Sequence, residues 1–339
     1  MSIQVYYDHL QEVRQHPVFI CGHPKAGTSL VRAILDSHPE LIVYPEESMF
    51  FRQFLIKTKE YDLNNKLRFA EEHLIHFFKW QKGNPQPEQV DYPDRDYSQY
   101  SFNMINQYLH EYVERDYQHD GDILSAAVLA FGKAGRSFNK NTRFWVEKSP
   151  YNEFFSEQIF NWWEKARCIH VIRDPRDNYA SYRRKHPDWK PEFFANNWRH
   201  STSIGIHNQK KYKPENYFII KYEDLTSSPE NGRDTIYKLV NFLGISYDEK
   251  LLIPTRANIA WKGNSMFSNQ FEGISSNPIA RWKENLSKDD AEVIQIMTEP
   301  FISDFKYVEK KMTKQISAKS YFRAGTWPLR RKIQRFLKS

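Results

Sequence analysis

Short, almost wholly apolar runs alternate along the chain with longer amphipathic stretches. Pro17-Val18-Phe19-Ile20-Cys21, Leu41-Ile42-Val43-Tyr44, Phe144-Trp145-Val146, Arg167-Cys168-Ile169-His170-Val171-Ile172 and Tyr217-Phe218-Ile219-Ile220 are all rich in β-branched or aromatic side chains. Continuous apolar runs of this kind suit strands buried on both faces, as in a parallel sheet. Between them apolar positions recur at helical spacing. The first such segment runs from about Ser29 to Ser37, with Leu30, Ile34 and Leu35 on one face and His38-Pro39 as its stop. Met49 to about Tyr117 reads as helical and aromatic-rich, broken by the polar stretch Lys82 to Asp96, whose three prolines predict a loop. Strand-like and helix-like segments in alternation predict an α/β fold, a parallel sheet covered by helices. The expected organisation is one domain over residues 1–305, with a helical insertion at 49–140, followed by a helical C-terminal tail at 306–339.

Composition narrows this further. In 339 residues, 40% are apolar, with 24 Phe, 20 Tyr and 9 Trp. That is ample for a large core and excludes a mainly disordered chain. The longest nearly apolar run, Ile123 to Phe131, is interrupted by Ser125 and falls far short of the ~20 residues a membrane crossing needs. The N-terminus lacks a basic region followed by an apolar one, so a secretory leader is not expected and a cytoplasmic location is. Cys21 and Cys168 each lie inside an apolar strand, which predicts buried free thiols rather than a disulfide. The net charge of +7 is unevenly placed: residues 306–339 hold eleven basic side chains and one acid, leaving the other 305 residues at −3. A basic tail on a near-neutral body does not suggest a nucleic-acid groove. After Pro328, Leu329, Ile333, Phe336 and Leu337 share one helical face among basic residues. Two readings stand: peripheral attachment to an anionic membrane surface at its inner face, or a terminal helix packed on the body.

Candidate chemistry lies where the strands end. Each of the five runs into charged or phosphate-compatible residues: Gly22-His23-Pro24-Lys25-Ala26-Gly27-Thr28-Ser29, Pro45-Glu46-Glu47, Glu147-Lys148-Ser149, Arg173-Asp174-Pro175 and Lys221-Tyr222-Glu223-Asp224. In open α/β sheets the carboxyl edge is where ligands bind. The first turn leads into a helix, whose N–H groups bind anionic oxygens. It nearly fits the G-x-x-x-x-G-K-[ST] pattern of nucleotide triphosphatases, but Thr28 stands where the lysine belongs and Lys25 has moved into the loop. Nucleoside triphosphate chemistry with magnesium is therefore disfavoured. The expected fold is nonetheless a P-loop-type central parallel sheet flanked by helices. At the fourth strand's end, Arg173 and Ser181 offer a guanidinium and a hydroxyl from one strand–helix junction, a receptor for a second phosphate.

Together these segments resemble the sulfotransferase family, whose donor is 3′-phosphoadenosine 5′-phosphosulfate (PAPS). The likeness spans about residues 17–290 and is nearer to tyrosylprotein sulfotransferases and bacterial relatives than to cytosolic ones. It implies a 5′-phosphosulfate site at Lys25, Ala26, Gly27, Thr28, Ser29 and Leu30, and a 3′-phosphate site at Arg173 and Ser181. Tyr222 is implied near the adenine, and a glycine-bearing loop with Lys262, Gly263 and Asn264 at the 3′-phosphate. Arg281-Trp282-Lys283 is a further family-like block. Sulfuryl transfer needs a base for the acceptor hydroxyl and cations for the leaving phosphate. The cytosolic branch's histidine after the third strand is missing in Lys148-Ser149-Pro150-Tyr151. The other branch's glutamate after the second strand corresponds to Glu47, or to Glu46 if the register shifts by one. Such a base would work best if partial burial raised its pKa. Lys25 and Lys148 are the expected stabilisers of the departing phosphate.

No Cys/His or carboxylate spacing suggests a metal site, and none is expected. His170 reads as core and His38 as structural, while His23 could approach the donor. The acceptor is a hydroxyl compound (carbohydrate, lipid or small-molecule alcohol), held by residues 49–140 and 187–208. Tyr97, Tyr100, Trp189 and Trp198 are candidates for stacking on a sugar or for the core. Competing readings are a kinase or NTPase with a displaced lysine, and a non-catalytic nucleotide-binding scaffold.

Overall fold

The computed structural model describes residues 3–87, 89, 95–263, 274–308 and 316–336, the side chains beyond 332 excepted. Five parallel strands form the central sheet: β1 (Pro17–Cys21), β2 (Leu41–Val43), β3 (Phe144–Lys148), β4 (Arg167–Ile172) and β5 (Tyr217–Lys221), in the order β2-β3-β1-β4-β5. β1 is central. Its Ile20 pairs with Lys148 of β3 on one side and Ile169 of β4 on the other. Because β3 and β4 flank β1, the loops leaving their carboxyl ends part around the turn after β1 and leave a crevice there.

Side chains of β1 alternate between two cores. Phe19 packs into a large aromatic cluster with Ile42, Phe51, Trp145 and Trp163, while Val18 and Ile20 join Leu30, Ile34, Val146 and Leu239 on the opposite face. The helix Gly121–Ala134, which contains the longest apolar run of the sequence, is buried almost throughout. Its Gly132 admits Ile42 of the sheet so closely that a Cβ would meet it at 2.6 Å. Both cysteines are buried free thiols.

Of the expected insertion, residues 50–57 form one irregular helical segment, and Leu63–His73 and Phe102–Asp116 are regular helices. Residues 88 and 90–94 of the expected 82–96 loop lie outside the described residues. In the tail, helices Ala318–Gly325 and Trp327–Phe336 are held to the body by ion pairs: Arg323 to Glu192 and Asp290, both at 2.8 Å, and Arg330 to Glu192 at 3.2 Å. Leu329 stays exposed, and the side chains of Ile333, Phe336 and Leu337 lie outside the described residues. No described helix is long and apolar enough to cross a membrane.

Candidate active site

The turn after β1 is shaped by three residues with positive φ: Gly22 at 128°, Lys25 at 67° and Gly27 at 107°. Gly22 donates its N–H to the buried Glu153 carboxylate at 2.9 Å, anchoring the start of the turn. Burial drives the Glu153 carboxyl up to about 7. Gly27 is required by contact as well as by φ, since a Cβ there would collide with the Tyr222 ring. Gly27 leaves the Thr28–Leu35 helix without a side-chain cap. The Gly27 carbonyl accepts the N–H groups of Leu30 at 2.9 Å and Val31 at 3.3 Å, so the helix begins at the turn and directs its positive end there.

The second motif is stitched to the first. Arg173 donates through Nη1 to the Lys25 carbonyl at 3.2 Å and through Nη2 to the Pro278 carbonyl at 2.8 Å, with its guanidinium 4.6 Å over the Tyr222 ring. Its Nε is buried without a hydrogen-bond partner among the described residues. Asp174 caps the Pro175–Lys185 helix through the Arg176 N–H at 2.9 Å, and Ser181 sits on that helix. Asp177 accepts the N–H groups of Ala280 at 2.7 Å and Trp282 at 2.8 Å, which ties the Arg281 block to the same junction. Glu223 completes the frame, accepting the Asp174 N–H at 3.0 Å and the Tyr307 hydroxyl at 2.9 Å.

Beyond the turn, the segment after β2 presents two carboxylates in different settings. Glu46 is nearly buried and committed, accepting from the Tyr97 hydroxyl and pairing with Arg95 at 2.7 Å. Glu47 pairs with Lys148 of β3 and keeps 42% of its side chain open, whereas Lys148 is 4% exposed. The segment is positioned by the buried Glu147 carboxylate, which accepts from Ser48 Oγ at 2.7 Å, Ser149 Oγ at 2.6 Å and Asn152 Nδ2 at 2.7 Å. The surroundings of Glu47 push its carboxyl up by desolvation, yet Lys148, Arg32 and Lys185 outweigh this and hold it below its ordinary value. The condition that would best suit a base, a raised pKa, is therefore not met in the resting pair: the cations prevail over burial. Burial lowers Lys148, with Glu47 opposing. Burial also brings Lys25 down to about 8, helped by Lys185, Lys148 and Arg173.

One cavity of about 1290 Å³ joins these parts. It is lined by Lys25, Gly27, Thr28, Ser29 and Leu30 from the turn, Arg173 and Ser181 from the second motif, and Tyr222, Trp261, Gly263 and Arg281 beside them. Glu46 and Glu47 line the same cavity, with Arg52, His73, His76, Trp80, Arg95, Tyr151, Trp189 and Arg256. Lys148 reaches this wall through Glu47. Several expected residues stand elsewhere. Ala26 is fully buried under the turn and absent from the lining. Lys262 is exposed and outside the lining, and Asn264 lies outside the described residues. His23 does not face the cavity. It is boxed by Tyr151, Tyr182 and Phe194, and burial drives it down to about 4. Tyr97, Tyr100 and Trp198 are core, leaving Trp189 as the cavity-lining member of that set. Sequence reasoning missed Glu153, Asp177 as an anchor, Pro278 and Tyr307, none of which carries a local signal. Among the described residues no group of three His, Cys, Asp or Glu side chains could hold a metal.

The fold and site define an α/β protein with a glycine-bearing turn at a helix N-terminus and a carboxylate–lysine pair on one cavity. Its family follows from the sequence. Residues 17–249 match the profile described as Sulfotransferase family, and the chain belongs to it. The protein is a sulfotransferase. No curated protein matches the sequence. Similar solved structures include the sulfotransferase domain of the Synechococcus PCC 7002 olefin synthase, at 20% identity, 87% of this chain, 95% of that chain and TM-score 0.49. Sulfotransferase STF9 from Mycobacterium avium is similar at 14% identity, 90% and 80% coverage and TM-score 0.44. Retinol dehydratase in a complex with retinol and PAP (PAPS after loss of the sulfuryl group) is similar at 12% identity, 89% and 86% coverage and TM-score 0.38.

Proposed function

We propose that the protein transfers the sulfuryl group of PAPS to an acceptor hydroxyl by in-line displacement. The observation that carries this is the single cavity shared by the Lys25–Leu30 turn and the Arg173–Ser181 junction, stitched by the Arg173 bond to the Lys25 carbonyl. A nucleotide with a phosphate at each end suits two receptors on one sheet edge. The orphaned Arg173 Nε and the Ser181 hydroxyl on the cavity wall supply donors for such phosphates, and the Thr28–Leu35 helix turns its positive end to the same turn. Tyr222 and Trp261 form the wall for the base, and Gly263 contributes the glycine of the 3′-phosphate loop.

In this reading Glu47 accepts the hydroxyl proton, the oxygen attacks sulfur, and the bond from sulfur to the 5′-phosphate oxygen breaks with its electron pair on that oxygen. The resting Glu47–Lys148 pair gives the two groups linked roles. When the Lys148 ammonium turns to the leaving phosphate oxygen, Glu47 loses its strongest cation and becomes the better base. Lys25 adds the second charge on the phosphate. Glu46, tied to Tyr97 and Arg95, has no comparable freedom. The ion pairs of Arg323 and Arg330 favour a tail packed on the body over one committed to a membrane.

The test is direct. PAP is expected to raise Tm at micromolar to millimolar concentration without magnesium, and ³⁵S-labelled PAPS to label an acceptor from a panel of glycans, glycolipids and phenols. No thermal shift with PAP, together with magnesium-dependent ATP turnover, would replace this reading with the triphosphatase one.

A further inference from the structure

Two arginines beside the Glu46–Glu47 segment, Arg32 buried and Arg256 half-buried, each hold a buried Nε with no hydrogen-bond partner among the described residues. Arg32, one turn along the Thr28–Leu35 helix, is 2% exposed, and its Nε has no hydrogen-bond partner among the described residues. Arg256 comes from the small hairpin Thr255–Arg256 and Ile259–Ala260, lines the cavity, and has a buried Nε in the same condition. Burial lowers Arg32 to about 10, and the neighbouring Arg256 charge pushes the same way, so the guanidinium groups repel.

The acids nearby do not resolve this. Glu46 is engaged by Tyr97 and by Arg95. Asp36 uses Oδ2 to accept from Thr255 Oγ1 at 2.7 Å and the Asn258 N–H at 2.9 Å. Arg32, Arg95 and Arg256 thus share Glu46 and Asp36, while Glu47 nearby is already paired with Lys148. A buried cation without hydrogen bonds is costly, and removing that cost requires a matching anion. A guanidinium fork is the natural receptor for a carboxylate, phosphate or sulfate ester. The donor's phosphates have their own receptors at the turn and at Arg173. A third anion therefore comes with the other substrate. Arg32 also acts electrostatically on Glu47 and on Lys148, which places this corner at the reacting end of the cavity.

We infer that the acceptor is itself anionic, carrying a carboxylate, phosphate or sulfate ester that seats on Arg256, backed by Arg32, while its hydroxyl faces Glu47. The inference rests on the sulfuryl-transfer reading above.

The experiment uses full-length enzyme saturated with PAP. 4-Nitrophenyl phosphate, 4-nitrophenyl sulfate, 4-nitrophenyl glucuronide and the uncharged 4-nitrophenyl glucoside are titrated by calorimetry. At least one anionic probe is expected to bind about tenfold or more tighter than the glucoside, the scale of one charge-assisted contact. Which one wins distinguishes the three anion chemistries. Arg256→Gln is expected to bring the ratio to near unity and Arg256→Lys to restore it partly, with the PAP-induced Tm shift retained as the check on folding. The inference is overturned if the glucoside binds as tightly as every anionic probe, if none of the four binds, or if Arg256→Gln leaves the ratio unchanged. Loss of the PAP shift in the wild type would instead overturn the donor reading.

Discussion

The two ends of the cavity are built by different physics. At the end formed by the Lys25 turn, Arg173 and Tyr222, backbone conformation and backbone acceptors dominate: positive-φ residues, a helix terminus, and an arginine whose bonds go to two carbonyl oxygens. At the end formed by Glu46, Glu47, Arg95 and Arg256, side chains from distant segments meet as charges, several of them in close pairs. Backbone receptors are rigid and fit a fixed donor. Side-chain charges are exchanged by single substitutions, and in the proposed reaction they are the groups that meet the acceptor. The contrast teaches that donor recognition and acceptor recognition can be perturbed separately.

The sharpest separation is expected from Glu47→Gln. The amide cannot take a proton, so kcat should fall by about 10²–10⁴, while PAP stabilises the variant as well as the wild type. Single-turnover transfer with labelled PAPS measures the first quantity and thermal shift the second. Equal kcat in Glu47→Gln would move the base elsewhere, and a parallel loss in Glu46→Gln alone would shift the register by one residue.

Arg173→Ala tests the opposite end. Removing this guanidinium leaves the Lys25 and Pro278 carbonyls without their donor and strips a charge from the phosphate wall. PAP affinity should drop by about 10–100-fold, the range of one or two charge-assisted bonds. Acceptor binding to the remaining PAP complex should hardly change. Calorimetric titration of PAP decides it, and an unchanged Kd would remove Arg173 from the donor site.

These two ends were also unequally legible in the sequence. Strands β1 to β5 could be read because buried parallel strands are continuous apolar runs, and all five of their C-terminal residues fall within two positions of where the runs stop. The turn was readable because its glycines and lysine are contiguous. Glu153 under Gly22, Asp177 under Trp282 and Tyr307 on Glu223 were not, because each acts across 84 to 131 residues and none has a distinctive neighbour. Tyr97 and Tyr100 resembled ring-stacking candidates, but aromatics in a helical insertion pack first against one another, here with Phe77, Phe78 and Phe131. The Glu47–Lys148 pair fell between these cases. Both residues stood out at strand ends, yet the sign of the Glu47 shift depended on their contact across 101 residues.

A third, smaller effect concerns stability at the acceptor end. Tyr97→Phe deletes the hydroxyl that serves the nearly buried Glu46 carboxylate and should cost about 1–3 kcal/mol, as for a buried charged acceptor that loses a donor. Urea unfolding reads this out, and the PAP-induced Tm shift should be preserved because no donor-end group is touched. A Tyr97→Phe variant as stable as wild type would mean that Arg95 suffices for Glu46.

The smallest effect is a pH dependence at the donor end. Lys25 is held down to about 8, first by burial and then by Lys185, Lys148 and Arg173. A bound phosphate adds a negative charge beside the ammonium and raises that value, so PAP binding takes up a proton. Below pH ~8 the lysine is already charged and affinity should be flat; above it, affinity should fall by up to about tenfold per pH unit until the raised value is passed. Phosphate monoesters, with a second pKa near ~6, are fully ionised over pH 7.5–9.5 and contribute no slope there. Calorimetry in two buffers of different ionisation enthalpy should detect uptake of a fraction of a proton near pH 8, and Lys25→Arg should abolish it because guanidinium stays charged throughout. Proton release on binding, or an affinity constant from pH 7.5 to 9.5 in the wild type, would detach Lys25 from the phosphate and leave the turn's backbone as its sole receptor.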